Sequence, residues 1–192
     1  MSASRLVRLI IPCLALPGIA IAHSAASGPV YTLIAAHSTL TYTFIQAGAA
    51  NEGKFNVFTA RFDPRAKTLA VVIDMRSFDT GDAQRNGLLG GRDFFDVAQF
   101  PQARFTSTQL RRTAAGYVAT GALTLRGITR TIAVPFSWRV IDRGGRQVGL
   151  LDGTTVLKRL DFGVGQGQWR ATEWLGNAVT VRFALRMASA AR

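Results

Sequence analysis

The sequence predicts an all-β fold, an antiparallel barrel of about eight strands with one short helical insertion. Three observations lead there. Between Thr39 and Met187 short segments alternate apolar and polar residues, as in Leu40-Thr41-Tyr42-Thr43-Phe44 and Val179-Thr180-Val181-Arg182-Phe183. A period of two buries one face of a strand and leaves the other in water. Turn residues cut these segments into successive hairpins; many short strands in one domain make a sandwich or a barrel, and consecutive hairpins favour an up-and-down barrel. The inward phase is mostly large and apolar, and nucleophile–base pairs and metal-ligand clusters are missing.

Taken in order, Tyr31–Ile34 reads as a short extended piece and Ser38–Gln46 as the first full strand. Gly48–Gly53 reads as a turn or loop. Phe55–Phe62 follows, with Phe55 and Phe58 on opposite phases, which implies a bulge or burial on both sides. Asp63-Pro64-Arg65 is turn chemistry, and Leu69, Val71, Ile73 and Met75 mark one face of a third strand. After Phe78 the period changes. Asp79 or Thr80 is expected to cap a short helix running toward Leu89, with Asp82 in its first turn. Gly81, Gly87, Gly90 and Gly91 make that helix weak on its own, suited to a lid held by packing, and Phe94, Phe95 and Phe100 would seat it.

Strands resume at Ala103–Gln109 and Tyr117–Leu125, separated by a turn at Ala114-Ala115-Gly116. A tight connection at Arg126-Gly127, with Gly127 at positive φ, leads into Arg130–Val140. A turn at Asp142–Gly145 precedes Gln147–Leu157. An irregular stretch from Lys158 to Asn177 carries Phe162, Trp169 and Trp174, and Ala178–Met187 is the last strand before an Ala-rich tail expected to fray. A barrel of eight strands is near the size at which the interior either fills with side chains or holds one small ligand.

Residues 1–22 read as a signal peptide and 23–192 as one barrel domain. Arg5 and Arg8 precede an apolar run from Leu9 to Ile21, and Ala20-Ile21-Ala22 supplies a small-x-small cleavage site. The run is short for a bilayer span, and Pro12 and Pro17 lie within it. The single cysteine, Cys13, would leave with this segment, so the exported chain would carry no thiol in an oxidising periplasm. The formal charge of +12 first suggests nucleic acid. Export and the dispersion of the cations argue against it. Arg104, Arg139, Arg182 and Arg186 occupy polar phases and belong on the outer face. Peripheral attraction to anionic lipid surfaces or phosphate head groups remains open.

A catalytic reading finds little to use. His23 and His37 have no cysteine or His-x-x-x-His partner for zinc. Asp79, Asp82, Asp93 and Asp96 form the main acidic cluster, for which helix capping and turns are the simpler account. Gly163-Val164-Gly165-Gln166-Gly167 lacks the Lys-Ser/Thr ending of a phosphate loop. No cofactor is expected.

Several segments together resemble the YceI-like family of periplasmic lipid- and polyisoprenoid-binding proteins. They are Ala36-His37-Ser38, Gly53-Lys54-Phe55, Phe62-Asp63-Pro64, Ser77-Phe78-Asp79-Thr80-Gly81, Asp93-Phe94-Phe95-Asp96, Phe100–Phe105, Gly121–Gly127 and Arg159–Gly163, in an order that covers about Tyr31 to Met187. Phe44–Gly48 and Gly163–Trp169 look more like the branch found beside, or fused to, b-type membrane cytochromes. One departure is Arg85-Asn86, where the family often shows Arg-Asp. The resemblance implies a lipocalin-like barrel with an elongated apolar cavity, no catalytic residues, and an isoprenoid lipid or quinone-like ligand inside.

Strand phase and lid placement then give the ligand-contact candidates. Phe44, Phe105, Leu123, Phe136 and Trp138 lie on apolar phases of the strands. Leu88, Phe94 and Phe95 lie on the insertion, and Arg159, Phe162 and Trp169 on the irregular stretch. Burying a prenyl chain gains about 0.8 kcal/mol per methylene, and an arginine at the mouth would satisfy a phosphate. Two other readings belong to different classes: an accessory protein docking on a membrane b-type cytochrome, and an enzyme using the Asp79–Asp96 cluster. Cleavage after Ala22 is tested by N-terminal sequencing of exported material, which is expected to start at His23; a start at Met1 or Ser2 would refute it.

Overall fold

The computed structural model describes residues 29–189, so the expectations for the signal segment and the frayed tail lie outside the described residues. Eleven strands and one helix follow in chain order: β1 (Tyr31–Leu33), β2 (Thr39–Gln46), β3 (Ala49–Phe55), β4 (Phe58–Asp63), β5 (Thr68–Asp74), β6 (Phe78–Asp79), α1 (Ala83–Gly90), β7 (Gln102–Thr113), β8 (Gly116–Leu125), β9 (Ile128–Arg143), β10 (Arg146–Lys158) and β11 (Leu175–Ser189). Every pairing is antiparallel. The ring runs β1-β4-β5-β7-β8-β9-β10-β11 and closes where β1 pairs with β11, Tyr31 facing Ser189 and Leu33 facing Met187.

The remaining strands extend the same eight staves. A 3-10 turn at Ala35–His37 interrupts the first stave, and β2 then continues along β11, with Phe44 opposite Val179. β3 pairs with β2 and carries on into β4 after a break at Asn56-Val57. At the break the Ser77 carbonyl accepts the Asn56 N–H (3.0 Å) and the Ser77 hydroxyl accepts the Val57 N–H (3.0 Å). The interruption lets Phe55 and Phe58, three residues apart, both face inward. In β7 a bulge after Ser107 brings its buried hydroxyl within 2.7 Å of the Leu69 N–H.

Two sequence expectations change. Gly48–Gly53 is not a loop: Ala47 (φ 49°) and Gly48 (φ 76°) suffice to turn the chain, and β3 starts at Ala49. The helix cap is Asp82, whose carboxylate accepts the Arg85 N–H at 2.9 Å, while Asp79 ends β6. The Arg126-Gly127 connection is as expected, a two-residue turn with both residues at positive φ between β8 and β9.

Alternate connections of an antiparallel barrel fall at the same end. One end therefore gathers the β4–β5, β7–β8 and β9–β10 hairpins with the start of β1 and the close of β11. The other gathers the β2–β3 and β8–β9 turns, the 75–101 insertion with α1, and the 159–174 loop. The first end is packed shut. Trp138 meets Tyr31 edge-on at 4.8 Å and Phe62 at 4.7 Å, and Phe136 meets Phe62 at 5.8 Å and Tyr117 at 5.7 Å. Gly149 lies beneath the Trp138 ring, where a Cβ would collide with it. Along the wall, apolar residues point in while Arg104, Arg139 and Arg182 are exposed and Arg186 pairs with Asp152 at 2.7 Å. That polarity is the reverse of a membrane-spanning barrel.

Gly127 is needed twice, for its φ of 71° and for space, since a Cβ would come within 2.6 Å of Phe100. Gly48 has the positive φ with open space around it. Gly127→Ala is expected to cost more in urea unfolding than Gly48→Ala, whose cost is about 1–2 kcal/mol from backbone strain alone. The reverse ranking would show that Phe100 gives way freely.

Candidate ligand cavity

Between the aromatic seal and the lid, the side chains leave a cavity of about 200 Å³. Tyr42 and Phe44 of β2, Phe58 of β4, Val71 and Ile73 of β5, Phe105 of β7 and Leu123 of β8 line one side. Val134, Leu151, Val181 and Phe183 of β9–β11 line the other. The surface it presents is wholly apolar. Leu89 of α1, with Phe94 and Phe95 just after it, covers the top, and Phe162 and Val164 complete the rim. α1 presents a single buried residue, Leu89, and the insertion is seated by aromatic contacts: Phe95 lies 5.3 Å from Phe78 and 6.4 Å from Phe55.

A groove of about 330 Å³ lies outside this lid. Phe44, Leu89, Phe94 and Leu175 line both spaces, so they form the partition between cavity and groove. Beyond them the groove is more polar, with Gln46, Asp82, Gln84 and Arg85, and with Leu88 and Trp169 as its apolar part. The Arg85 guanidinium has no hydrogen-bond or ion-pair partner among the described residues.

Of the residues selected from sequence, the structure brings Phe44, Phe94, Phe95, Phe105, Leu123, Phe162 and Arg159 to the cavity. Leu88 and Trp169 are at the groove instead. Leu88 is 41% exposed, because the inward phase of so short a helix falls on its neighbour Leu89. Trp169 packs on Phe94 at 5.4 Å. Phe136 and Trp138 point inward but belong to the seal at the opposite end, so they do not share a space with Phe44 and Leu123 as expected. Sequence reasoning passed over Tyr42, Leu89 and Leu175. Tyr42 had the right phase for notice, whereas Leu175 sat in a stretch read as irregular.

Arg159 has a different environment from the one expected of a phosphate ligand. It is 5% exposed. Nε donates to the Gly176 carbonyl (3.0 Å), Nη1 to Val164 (2.9 Å) and Gly165 (3.2 Å), and Nη2 to Trp169 (2.7 Å) and Leu175 (2.8 Å). All five donors are engaged by backbone, and burial lowers the pKa of the guanidinium. The lid is fastened to the same loop, since the Asp93 carbonyl accepts from the Gly165 and Gln166 N–H groups, both at 2.7 Å. Arg126 adds a side-chain bond to the Arg92 carbonyl at 2.6 Å.

The acidic cluster is explained by local structure. Asp79 accepts from the Gly81 N–H (2.8 Å) and from the Asn86 amide (3.1 Å), which lowers its pKa. Asn86 accepts in turn from Thr80 N–H and hydroxyl at 2.9 and 2.8 Å. A carboxylate at 86 could not donate to Asp79, which accounts for asparagine at this position. No group of three His, Cys, Asp or Glu suited to a metal occurs among the described residues. The Tyr42 hydroxyl is buried without a hydrogen-bond partner over Gly53, where a Cβ would strike the ring. Burial, and secondarily the charge of Asp79, raises its pKa.

Arg159→Met would leave five carbonyls without these donors, three of them buried and two half-buried. It is expected to lower unfolding stability by about 3–5 kcal/mol and to speed amide exchange at Gly165 and Gln166, with Arg159→Lys intermediate. A fully stable Arg159→Met protein would show that the loop is held by other contacts.

Residues 31–187 match the YceI-like domain. The fold is similar to the crystal structure of BcnA from Burkholderia cenocepacia, with a TM-score of 0.70 and 34% identity over 80% of this chain and 98% of that one. It is also similar to a polyisoprenoid-binding domain from Saccharophagus degradans, with a TM-score of 0.64 and 20% identity over 85% of this chain and 100% of that one. A UPF0312 protein of Yersinia enterocolitica is 40% identical over 87 residues, 43% of this chain and 45% of that protein. The chain thus spans about half the length of the curated relatives it matches. The closed eight-stave barrel, its apolar interior and the match along its whole ring make this chain a member of the YceI-like domain family.

Proposed function

We propose that this chain is a periplasmic carrier, without catalytic activity, that holds an isoprenoid lipid in the barrel with its tail in the cavity and its head in the groove. The observation that carries this reading is an apolar cavity partitioned by four side chains, Phe44, Leu89, Phe94 and Leu175, from a groove of mixed polarity that holds Gln46, Asp82, Gln84 and Arg85. Leaving about 200 Å³ of core unfilled forfeits on the order of 5 kcal/mol at the rate found for engineered voids. A hydrocarbon tail recovers that loss without directional chemistry. The similarity in fold to a domain that is described as binding polyisoprenoid points to the same ligand class.

The cavity is smaller than the ~300–1,000 Å³ typical of ligand pockets. A long prenyl chain therefore needs the partition to part, so that tail and head occupy cavity and groove together. With the Arg159 donors committed to carbonyls, head-group recognition passes to Arg85, Gln46 and Gln84. These groups suit either a phosphate or the carbonyl oxygens of a quinone.

Mass spectrometry of an organic extract of the purified protein is expected to show a prenyl lipid. None, even after incubation with prenyl lipids, would end the carrier reading. Leu123→Trp, in the cavity wall, is expected to cut bound lipid at least tenfold while the melting temperature changes little. Phe136→Ala, in the seal, is expected to cost about 3–5 kcal/mol of stability and to spare binding. If Leu123→Trp instead lowered the melting temperature sharply with lipid unchanged, the interior would be a packed core at that point.

A further inference from the structure

We propose that the closed end of the barrel docks on an anionic lipid bilayer, leaving the lid and groove facing away from that surface. Strand order places the three hairpins of this end side by side around the rim, and each tip is basic. Arg65 and Lys67 lie on the β4–β5 connection, Arg111 and Arg112 at the end of β7, and Arg143 and Arg146 on either side of the β9–β10 turn; all six are exposed. Lys67, Arg111, Arg112, Arg143 and Arg146 take part in no ion pair among the described residues.

The two carboxylates in these hairpins are turned to their own backbones. Asp63 accepts the Arg65 and Ala66 N–H groups at 3.0 and 2.9 Å, and Asp142 accepts the Gly145 N–H at 2.9 Å. The opposite end is balanced: its connections hold Asp79, Asp82, Asp93, Asp96, Asp161 and Glu173 against Arg76, Arg85, Arg92, Arg126, Arg159 and Arg170. Among the described residues the excess of positive charge therefore lies more at the closed end than at the lid end.

What the basic end lacks identifies its partner. Among the described residues the exposed large apolar side chains are Ile45, Val57, Leu88, Val140, Val156 and Trp174; only Val140 lies toward this end, on the wall of β9 and not at a hairpin tip. Protein interfaces concentrate their energy in buried aromatic and arginine anchors set in pockets. Exposed cations on three adjacent hairpins around one end suit a planar polyanion instead, and basic groups near an anionic leaflet each add to its attraction. The chain also enters the barrel here, at Tyr31 beside Phe62 and Ser189.

Flotation of the full chain with phosphatidylcholine vesicles, with and without phosphatidylglycerol, tests the proposal independently of any ligand in the cavity. Binding is expected to depend on phosphatidylglycerol and to fall with salt. The variant R111Q/R112Q/R143Q/R146Q is expected to lose about fivefold per charge, and R92Q/R170Q, at the lid end, to bind as the parent does. Should the quadruple variant not fold, R111Q/R112Q and R143Q/R146Q separately are expected to give graded losses at unchanged melting temperature. Equal binding by closed-end and lid-end variants, or binding to neutral vesicles as strong, would overturn the proposal. So would retention by poly-glutamate without retention by anionic vesicles, which would indicate an acidic protein.

Discussion

The Arg159 guanidinium gives all five of its N–H groups to the carbonyls of Val164, Gly165, Trp169, Leu175 and Gly176, and no carboxylate shares its buried site. A buried cation is costly unless every donor is satisfied, and here the oriented carbonyl dipoles of one loop do the whole work. Because the acceptors span Val164 to Gly176, a single side chain fixes the path from the end of β10 to the start of β11. The lid inherits that path through the bonds from Gly165 and Gln166 to Asp93. Lysine, with three donors and no planar fork, could not replace it. The open end of the barrel thus depends on a polar node rather than on apolar packing alone.

The two ends of the barrel solve different problems. At the closed end, Tyr31, Phe62, Phe136 and Trp138 interlock edge to face, Tyr117 stacks on Phe136, and a glycine at 149 makes room for the indole. Such packing leaves nothing to bind. At the lid end the covering residues come from a short helix and from loops, elements whose seating rests on a few rings and backbone bonds. Segments of that kind open at lower free energy than strands do.

Much of this architecture was legible in the sequence because strand alternation and turn chemistry are local signals. The Arg126-Gly127 turn, the inward face formed by Leu69, Val71, Ile73 and Met75, and the insertion after Phe78 all follow from them. Gly48–Gly53 was misread because glycine and small residues suggest a loop, whereas β3 is held by pairing with β2 and by room for the Tyr42 ring over Gly53. Strand phase separated inside from outside but carried no information on depth along the axis. Phe136 and Trp138 were therefore grouped with Phe44 and Leu123, although they lie nearer the closed end and outside the cavity. Helical phase over eight residues was too short to choose Leu89 over Leu88. The acceptors of Arg159 are backbone atoms of a loop, which no side-chain pattern announces.

The indole of Trp169 rests 5.4 Å from Phe94, on the groove side of the partition. Trp138 belongs to the distant aromatic seal, and Trp174 is 57% exposed. The three chromophores therefore sample a packed end, the groove beside the lid and solvent. Light emitted by the second of them carries a record of the cover's position, since any parting of Phe94 from the loop changes the polarity around that ring. If the lid parts from this loop, the native chain would report it through its own fluorescence, without a foreign dye.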